Sequence, residues 1–574
     1  MTAKIVVIGN GMVGQRFLEA LAEGPEGFAV TAIAEEPRPA YDRLRLSSFF
    51  SGCSAEELSL VPKRFFQEHD VTIHLGERAS EIDRTRKLVR TAAGREVPYD
   101  TLVLATGSSP RVPAVPGRDR PGCFVYRTLD DLEAIRAAAR DARSGAVIGG
   151  GLLGLEAAKA LRDLGLRTHV VELAPRLMAL QVDELGGALL ERKIEALGVR
   201  VHTGKSTREI TDGGNARQRI AFADGSLLDV DLIVFSAGIR PSDALARAAG
   251  LAVGERGGIV IDDLCRTSDP AIYAIGECAL WNGRIFGLVA PGYQMARVAA
   301  ASVLGTAEGQ CFRGADLSTK LKLLGVDVAS IGDAHAASPG AQSCTFLDER
   351  RQVYKKLVVD AAGRRLIGGV LVGDVESYSA WLNMMLNDLP LPARPEELIL
   401  PARSGSEPSA SGVAALVPSA LVCSCNNVSR AQLTAAVEQG ATTLGAIRSK
   451  TRASTSCGGC TSLVVQLLNV ELARRGVAVN THLCEHFPYS RQQLYHWVRV
   501  GELKTFGAVL AKHGRGGGCD ICKPAVASIL ASCWNRFVLE ADKQPLQDTN
   551  DYFLANLQKD GTYSVVPRIP GGEI

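Results

Sequence analysis

Residues 4–14, KIVVIGNGMVG, decide the fold that this sequence predicts. The first five residues read as an apolar strand, and Gly9, Gly11 and Gly14 then open a helix in the pattern G-x-G-x-x-G. Such glycines let the backbone turn tightly and approach a pyrophosphate at the N-terminus of the helix. Glu35 ends the next strand-like run, where a carboxylate can bind a ribose hydroxyl. The stretch therefore predicts a dinucleotide-binding unit.

The same pattern recurs further along the chain. Residues 146–158, AVIGGGLLGLEAA, carry Gly149, Gly151 and Gly154 after a second apolar strand, and Glu172 closes the strand-like run THVVE. A single G-x-G-x-x-G is a weak indication, but two complete units in series rarely arise by chance. We therefore expect two Rossmann-like units in one chain.

Three further segments accompany these units: YDRLRLSS at 41–48, TLVLATG at 101–107 and IYAIGEC at 272–278. With them, the two units resemble the pyridine nucleotide-disulfide oxidoreductase family of flavoproteins. The resemblance implies FAD in the first unit and a nicotinamide nucleotide in the second. Beyond the glycines and Glu35, the residues that it places at FAD are Arg43, Thr106, Gly107, Gly276 and Glu277.

The second unit carries the residues that bear on the choice of nucleotide. Glu156, just after the third glycine, matches the family's position beside the nicotinamide, and as an ordinary first-turn acid it would complement the helix dipole. The resemblance favours NADH, because a carboxylate at Glu172 would repel the 2′-phosphate of NADPH. Arg176 lies close enough in sequence to keep NADPH open. The family's redox-active cysteine pair does not occur in this sequence, so electrons must leave the flavin by another route.

Four cysteines near residue 440 supply a set of metal ligands, Cys423 and Cys425 as C-S-C and Cys457 and Cys460 as C-G-G-C. Two such pairs can close over a [2Fe-2S] cluster, and zinc, which also accepts four thiolates, is the alternative. The segment resembles the ferredoxin modules of the bacterioferritin-associated type, and this resemblance implies the cluster.

A second copy of the pattern follows, and its opening line ends in S-R-x-Q-L like the first. Here Cys484, Cys519 and Cys522 keep cysteine, and His486 takes the fourth position. Imidazole can replace thiolate at iron and raises the potential when it does. Two interpretations stay open: a Cys3His cluster or zinc site, or a degenerate module that has lost its metal.

Composition excludes several classes of function. Lys and Arg number 64 against 62 Asp and Glu, and the resulting net charge of +2 argues against a nucleic acid or an anionic membrane as partner. The sequence contains neither a signal peptide nor an apolar run of the roughly 20 residues that span a membrane. Seven of the 14 cysteines lie between Cys423 and Cys522, as expected of metal ligands in a reducing compartment. We therefore expect a soluble, cytoplasmic protein with a small substrate.

Taken in order, segments from MTAKIVVIGNGMVG to LQKDGTYSVVPR resemble the family of large subunits of cytoplasmic NADH-dependent nitrite reductases. The resemblance implies that electrons pass from NADH through FAD and a [2Fe-2S] cluster towards a sirohaem, where nitrite becomes ammonium. The CxxxxxC and CxxxC pairs that hold the sirohaem and [4Fe-4S] centre of that family do not occur in this sequence. We therefore expect those two centres in a missing part or in a partner.

The same resemblance suggests partners and leaves alternatives. It implies a homodimer, a small Rieske-like subunit and a sirohaem-bearing catalytic domain or chain, with NADH as the small-molecule substrate. An electron-transfer subunit of an assimilatory nitrate reductase, which uses the same modules, is one alternative. A non-catalytic protein that reports NADH status through FAD and the cluster is another. No side chain is assigned to catalysis.

Together these motifs predict an α/β fold of two nested Rossmann-like FAD/NAD(P)-binding domains, a small α+β C-terminal domain of the dimerisation type, and small helical [2Fe-2S] modules. The tract ARSGSEPSASGVAALVP predicts a linker before the modules. The predicted domains are the first part of the FAD-binding domain at 1–143, the NADH-binding domain at 144–240, the second part of the FAD-binding domain at 241–318, the α+β interface domain at 319–401, the linker at 402–420, the [2Fe-2S] module at 421–472, its degenerate copy at 482–536 and the start of a sirohaem-type half-domain at 537–574.

Overall fold

The structure is a computed structural model of the 574-residue chain, which divides into two compact units, Met1–Leu468 and Asn469–Ile574. Within the part of the chain that the structure describes, no helix has both the length and the apolar character needed to cross a lipid bilayer. The described residues are 2–25, 27–62, 64–214, 216–323, 325–392, 394–400, 416–424, 426–455, 458–476, 482–519, 522–534, 568–569 and 572–573.

The first fingerprint directly follows a strand of a five-stranded parallel sheet. The strands of this sheet are largely apolar. Such strands are expected where helices cover both faces of a parallel sheet. The predicted first strand is confirmed as Ala3–Ile8, with four of its residues buried. In spatial order the strands are Ile272–Ala274, Thr101–Leu104, Ala3–Ile8, Phe28–Ala34 and Val71–Leu75. The helices here are α1 (Met12–Ala22), α2 (Ala55–Leu58) and α3 (Phe65–Glu68), and a small antiparallel sheet adds Ala79–Asp83, Leu88–Thr91 and Glu96–Pro98.

A second parallel sheet carries the second fingerprint, which confirms the predicted pair of Rossmann-like units. The strand Cys123–Val125 pairs with Leu232–Phe235 in this sheet, although its segment was assigned to the FAD-binding domain. This strand has only three residues and no fingerprint, so the sequence gives no indication of the sheet that it joins. In spatial order the strands are Arg200–His202, Arg167–Val171, Ser144–Ile148, Leu232–Phe235 and Cys123–Val125. The remaining elements are α4 (Leu129–Ala139), α5 (Leu152–Asp163), α6 (Glu184–Ala196) and the antiparallel strands Thr207–Asp212, Gln218–Phe222 and Leu227–Val230.

Two short antiparallel strands, Ser108–Pro110 and Ile239–Pro241, connect the two parts. The chain leaves the first sheet through one of them and returns through the other, so the second unit is inserted into the first. The returning part consists of α7 (Ala244–Ala248), the paired strands Ile259–Ile261 and Ala279–Trp281, and α8 (Val289–Val303).

An antiparallel five-stranded sheet follows, with one helix on its face. The helix α9 (Tyr378–Leu386) buries Trp381, which is 1% exposed, in the core of this sheet. In spatial order the strands are Thr319–Leu323, Val326–Gly332, Leu366–Val372, Val353–Val359 and Gln342–Asp348, and a 3-10 helix over Pro395–Leu398 comes after α9.

The first cysteine module is a strand pair with three helices. The run AVEQGATTLGAIRSK, residues 436–450, contains the end of the first helix and most of the second. The two are separate because Gly440, at φ +88°, follows the first and the Thr443 side chain caps the second. Part of the predicted linker belongs to the module, since the N–H of Arg430 donates to the carbonyl oxygen of buried Ala420 at 2.8 Å. The elements are the strands Leu421–Cys423 and Val428–Ser429 and the helices α10 (Arg430–Glu438), α11 (Leu444–Thr451) and α12 (Thr461–Arg474).

Within its described residues, the second unit contains three further helices around a small core of its own. Its fully buried side chains include Phe487, Leu494, Val498, Val509 and Ile529. Of the half-domain predicted at 537–574, only the short strands Arg568–Ile569 and Gly572–Glu573 lie within the described residues. The helices are α13 (Arg491–Val500), α14 (Phe506–His513) and α15 (Cys522–Trp534).

Candidate active site and cluster-binding loops

The first glycine fingerprint forms an open cradle at the start of α1. Gly9 has φ +106°, and a Cβ there would lie 2.2 Å from the carbonyl oxygen of Ala105. A Cβ on Gly14 would lie 2.1 Å from the carbonyl oxygen of Gly9, so larger residues are excluded at both positions. Gly11 caps the helix, and among the described residues no atom lies within 4 Å of a Cβ added to it. The N–H groups of the first turn can therefore receive a pyrophosphate, and the cradle fits FAD.

The two acids after the second strand behave differently. Glu35 is largely exposed and lines the cleft, with the guanidinium of Arg78 at 3.9 Å. Glu36 accepts a hydrogen bond from the Tyr41 hydroxyl at 2.7 Å and pairs with Arg43. Arg43 also donates to the carbonyl oxygen of Arg127 at 2.9 Å, so part of its guanidinium is occupied by the chain itself. Glu35 is therefore the acid that remains exposed to a ribose.

A polar network surrounds Glu277 on the second flavin segment. The Glu277 carboxylate accepts hydrogen bonds from the Ser108 hydroxyl and from the Arg127 guanidinium, both at 2.6 Å. Thr106 donates from its hydroxyl to the carbonyl oxygen of Ser242 at 2.7 Å, which joins the outgoing and returning connections. Sequence reasoning identified Glu277 and Thr106 but missed Ser108 and Arg127. A serine directly after the TLVLATG segment was a signal for the first, and none marked the second.

Gly107 and Gly276 complete the flavin side of this region. Gly107 has φ +64° and Gly276 has φ +81°, conformations that favour glycine. A Cβ on Gly276 would meet the side chain of Val13 at 3.3 Å. Both glycines line the same cleft as Glu35 and Arg43.

The second fingerprint repeats the geometry of the first, with Gly151 at the start of α5. Gly149 has φ +123°, and a Cβ on Gly154 would lie 1.9 Å from the carbonyl oxygen of Gly149. The Glu172 carboxylate accepts hydrogen bonds from the N–H of Gly150 at 2.5 Å and of Ala174 at 2.7 Å. These bonds fix a negative charge beside the glycine turn.

Glu156 lies on α5 in the wall of the cleft that also contains the first fingerprint. Burial raises the pKa of its carboxyl to about 7, and Lys159 opposes part of that rise. Burial also raises the pKa of Tyr126, and the nearby Glu156 adds to that shift. The carboxyl of Glu156 is thus half protonated near neutral pH.

One continuous cleft of 1760 Å³ joins the flavin segments to the first cysteine module. Gly11 and Glu277 line it, and so do Cys423 and Cys460. All four residues belong to the first compact unit. A cofactor in the cradle and a cluster on these cysteines would therefore share one cavity.

The structure brings Cys423 and Cys460 together in the wall of this cleft. A hydrogen bond from the Cys460 thiol lowers the pKa of Cys423 to about 6, against the opposing effect of burial. The Asn426 side-chain amide lies 3.9 Å from the Cys423 sulfur. A thiol that ionises easily is suited to binding metal. The other two predicted ligands, Cys425 and Cys457, lie outside the described residues.

Two helices hold the backbone of the two cysteine loops. Gln294 of α8 donates to the carbonyl oxygen of Ser424 at 3.0 Å, and Ser379 of α9 donates to that of Gly459 at 2.6 Å. Asn387 brackets Leu421, because its side chain accepts from the N–H at 2.7 Å and donates to the carbonyl oxygen at 3.1 Å.

Sequence reasoning missed these three contacts. A signal was present for Ser379 and Asn387, since Ser379, Asn383 and the C-cap residue Asn387 recur at every fourth position of a largely apolar segment, which places them on one face of α9.

In the second unit, the four predicted ligands of the degenerate module converge. The Cys484 sulfur lies 3.9 Å from Nδ1 of His486, and the Cys519 and Cys522 sulfurs lie 3.8 Å apart. All four ligand atoms lie within 4.8 Å of one another.

Comparison with protein families agrees with this architecture. The model for pyridine nucleotide-disulphide oxidoreductases matches residues 3–302, and the model for the rubredoxin NAD+ reductase C-terminal domain matches 318–388. The BFD-like [2Fe-2S] binding domain matches residues 421–469. A crystal structure of the ferredoxin reductase for the CYP199A2 system from Rhodopseudomonas palustris is 29% identical, with a TM-score of 0.59 over 65% of this chain and 92% of that chain. Fold and cleft thus define a flavoprotein reductase with an attached [2Fe-2S] module.

Similar curated proteins narrow this class. The nitrite reductase (NADH) large subunit of Escherichia coli (strain K12) is 56% identical over 574 residues, which is 100% of this chain and 68% of that protein. The assimilatory nitrate reductase electron transfer subunit of Bacillus subtilis (strain 168) is 36% identical over 551 residues, 93% of this chain and 69% of that protein. The chain belongs to the family of nitrite reductase large subunits. It spans 53 to 70% of the length of five curated nitrite reductases that it matches.

The cofactors of this class are FAD, NAD(H) and a [2Fe-2S] cluster, and the residues present fit them. The glycine cradle at α1 receives a dinucleotide, and the second fingerprint offers another such site. The paired thiols of Cys423 and Cys460 offer soft ligands in the wall of the same cleft.

Proposed function

We propose that this chain is the electron-input part of an NADH-dependent nitrite reductase. It takes reducing equivalents from NADH and delivers single electrons towards a sirohaem centre in another domain or chain, where nitrite is reduced to ammonium. The observation that carries this proposal is the cleft shared by the flavin segments and by Cys423 and Cys460. A donor site and a one-electron carrier in one cavity suit electron transfer without a separate shuttle.

Within this proposal, FAD would supply the chemistry that converts the two-electron donor NADH into one-electron steps. Backbone N–H groups around Gly11 would hold its pyrophosphate, Glu35 would bind its adenosine ribose and Glu277 would face its ribityl chain. The Glu277 carboxylate is held for that role by Ser108 and Arg127.

The remaining predicted residues take corresponding roles. The second fingerprint binds the pyrophosphate of NADH, with Glu172 at its ribose and Glu156 beside its nicotinamide. The four cysteines of the first module hold the cluster, namely Cys423, Cys425, Cys457 and Cys460. Gln294 and Ser379 position the two loops that carry these thiols.

The proposal extends to the surroundings of the chain. We infer a cytoplasmic homodimer that hands electrons to a sirohaem-bearing catalytic domain or chain, with a small Rieske-like subunit as a further partner. Support comes from the family to which the chain belongs.

The test is an anaerobic assay of the purified chain with NADH. We expect NADH to bleach the flavin and to drive rapid reduction of an artificial dye, and nitrite reduction to begin when a sirohaem-bearing partner is added. Electron delivery to a nitrate-reducing partner alone would instead assign the chain to the nitrate system. Slow bleaching without turnover would contradict the proposal and favour a protein that reports NADH status.

A further inference from the structure

The second unit contains a set of thiol and imidazole groups that the proposed electron path does not use. These groups are Cys484, His486, Cys519 and Cys522, and Cys522 is fully buried. We propose that they hold a single zinc ion in a closed, structural Cys3His site. This site is separate from the [2Fe-2S] site of the first module and stands independently of the proposed function.

The distances favour one metal ion. In tetrahedral zinc sites, Zn–S bonds of about 2.3 Å place neighbouring sulfur ligands about 3.8 Å apart. The Cys519 and Cys522 sulfurs are 3.8 Å apart, and the Cys484 sulfur is 3.9 Å from Nδ1 of His486. A two-iron cluster divides its ligands between two irons, which places ligands of different irons farther apart than ligands of one ion. No pair in this set is separated by more than 4.8 Å, as a single ion requires.

The second module keeps the helix caps of the first and, in addition, a converged set of ligand atoms. The first helix of each module begins with the same capping box, Ser429 with Gln432 in one and Ser490 with Gln493 in the other. The second helix begins in each case at a threonine cap, Thr443 or Thr505. A module without a ligand would be under no constraint to keep four ligand atoms converged.

The loop before α15 packs closely against the ligands. The N–H of Cys519 donates to the Cys522 sulfur at 3.1 Å, the kind of bond that orients a metal-bound thiolate. Gly516 and Gly518 have φ +66° and +80°, and a Cβ on Gly518 would lie 2.7 Å from the Phe506 ring. Glycine is therefore required for the loop to pass so close to Cys522 and Phe506.

Zinc chemistry also suits the size of this unit. The core here rests on a few side chains of three short helices. Small units commonly gain stability from a structural metal, because binding free energy becomes folding free energy. Zinc has no redox chemistry, so the second module would stabilise the chain without carrying electrons.

Metal counting on the full chain tests the proposal. Purified from cells supplied with iron and zinc, the chain is expected to contain one zinc ion in addition to the iron of one [2Fe-2S] cluster. The double variant Cys519→Ser/Cys522→Ser should lose the zinc and keep the iron. Cys533→Ser removes a thiol of α15 outside the set and should keep both metals.

X-ray absorption at the zinc edge of the unaltered chain tests the site without any variant. We expect three sulfur ligands at about 2.3 Å and one nitrogen ligand at about 2.0 Å. Iron content of two clusters with no zinc would overturn the proposal in favour of a second cluster. Absence of any metal beyond the first cluster, or zinc bound mainly by oxygen and nitrogen, would overturn it as well.

Discussion

The Ser379 hydroxyl donates a hydrogen bond to the carbonyl oxygen of Gly459 at 2.6 Å. Ser379 belongs to α9 of the antiparallel sheet domain, and Gly459 directly precedes the cluster ligand Cys460. Gln294 of α8 makes the equivalent contact to Ser424 beside Cys423. One helix of each neighbouring domain therefore holds one ligand loop, which fixes the cysteine module in the wall of the flavin cleft.

Replacing Ser379 by alanine should loosen the second ligand loop. A hydrogen bond of this kind contributes up to about 1.5 kcal/mol, and each 1.4 kcal/mol corresponds to about a tenfold change in an opening equilibrium. We expect Ser379→Ala to lose cluster iron to a chelator about tenfold faster than the unaltered chain, measured by the decay of cluster absorbance.

Ser377→Ala provides the matched control for this experiment. Ser377 lies at the start of the same helix and, among the described residues, makes no side-chain capping bond to it. It should release iron at the unaltered rate. Equal rates for Ser379→Ala and Ser377→Ala would show that the Gly459 contact does not hold the loop.

Removing the Cys423 thiol should separate the two stages of electron transfer. The thiol is not among the groups that surround Gly9, Gly11 and Gly14, so its loss leaves the glycine cradle intact. We expect Cys423→Ser to lose cluster iron, to keep NADH-driven bleaching of the flavin, and to reduce a one-electron protein acceptor such as cytochrome c at least about tenfold more slowly. Cys344→Ser, in the antiparallel sheet, should behave like the unaltered chain. Full acceptor reduction without cluster iron would contradict this order of electron flow.

Local sequence determined how much of this molecule could be predicted. Each fingerprint encodes its own strand, glycine turn and helix, so the cradles at Gly11 and Gly151 follow from a few adjacent residues. The pairing of Arg127 with Glu277 and the contact of Gln294 with Ser424 depend on segments far apart in the chain. No local pattern specifies which polar side chain reaches a loop from another domain.

Ionisation of Glu156 should make stability depend on pH. Burial raises the pKa of this carboxyl from the ordinary 4.5 to about 7, so between these values the folded chain retains a proton that the unfolded chain releases. The free energy of unfolding therefore falls as pH rises from about 4.5 to about 7, by at most about 3 kcal/mol. We expect Glu156→Gln to lack this decrease, measured by urea unfolding of the nucleotide-binding part at several pH values.

The exposed acid Glu133 of α4 supplies the control for that titration. Glu133→Gln should retain the full pH dependence of the unaltered chain. Infrared spectroscopy gives a second readout. The band of the protonated carboxyl should disappear with a midpoint near pH 7 as the pH rises. This band should be missing only from Glu156→Gln. A carboxyl band with a midpoint near 4.5 would contradict the assigned environment.

Replacing Glu172 should weaken the preference for NADH over NADPH. Its carboxylate is held beside the glycine turn by the N–H groups of Gly150 and Ala174, and a 2′-phosphate would bring a second negative charge towards it. Arg176 does not turn its Nε to that site, because it donates to the carbonyl oxygen of Val182 at 3.1 Å. We expect kcat/KM for NADH to exceed that for NADPH by about 100-fold, and Glu172→Gln to reduce this ratio by about tenfold, or about 1.4 kcal/mol. Glu184 is an exposed acid at the start of α6, and Glu184→Gln should leave the ratio unchanged. If Glu172→Gln also kept the ratio of the unaltered chain, Glu172 would have no part in nucleotide selection.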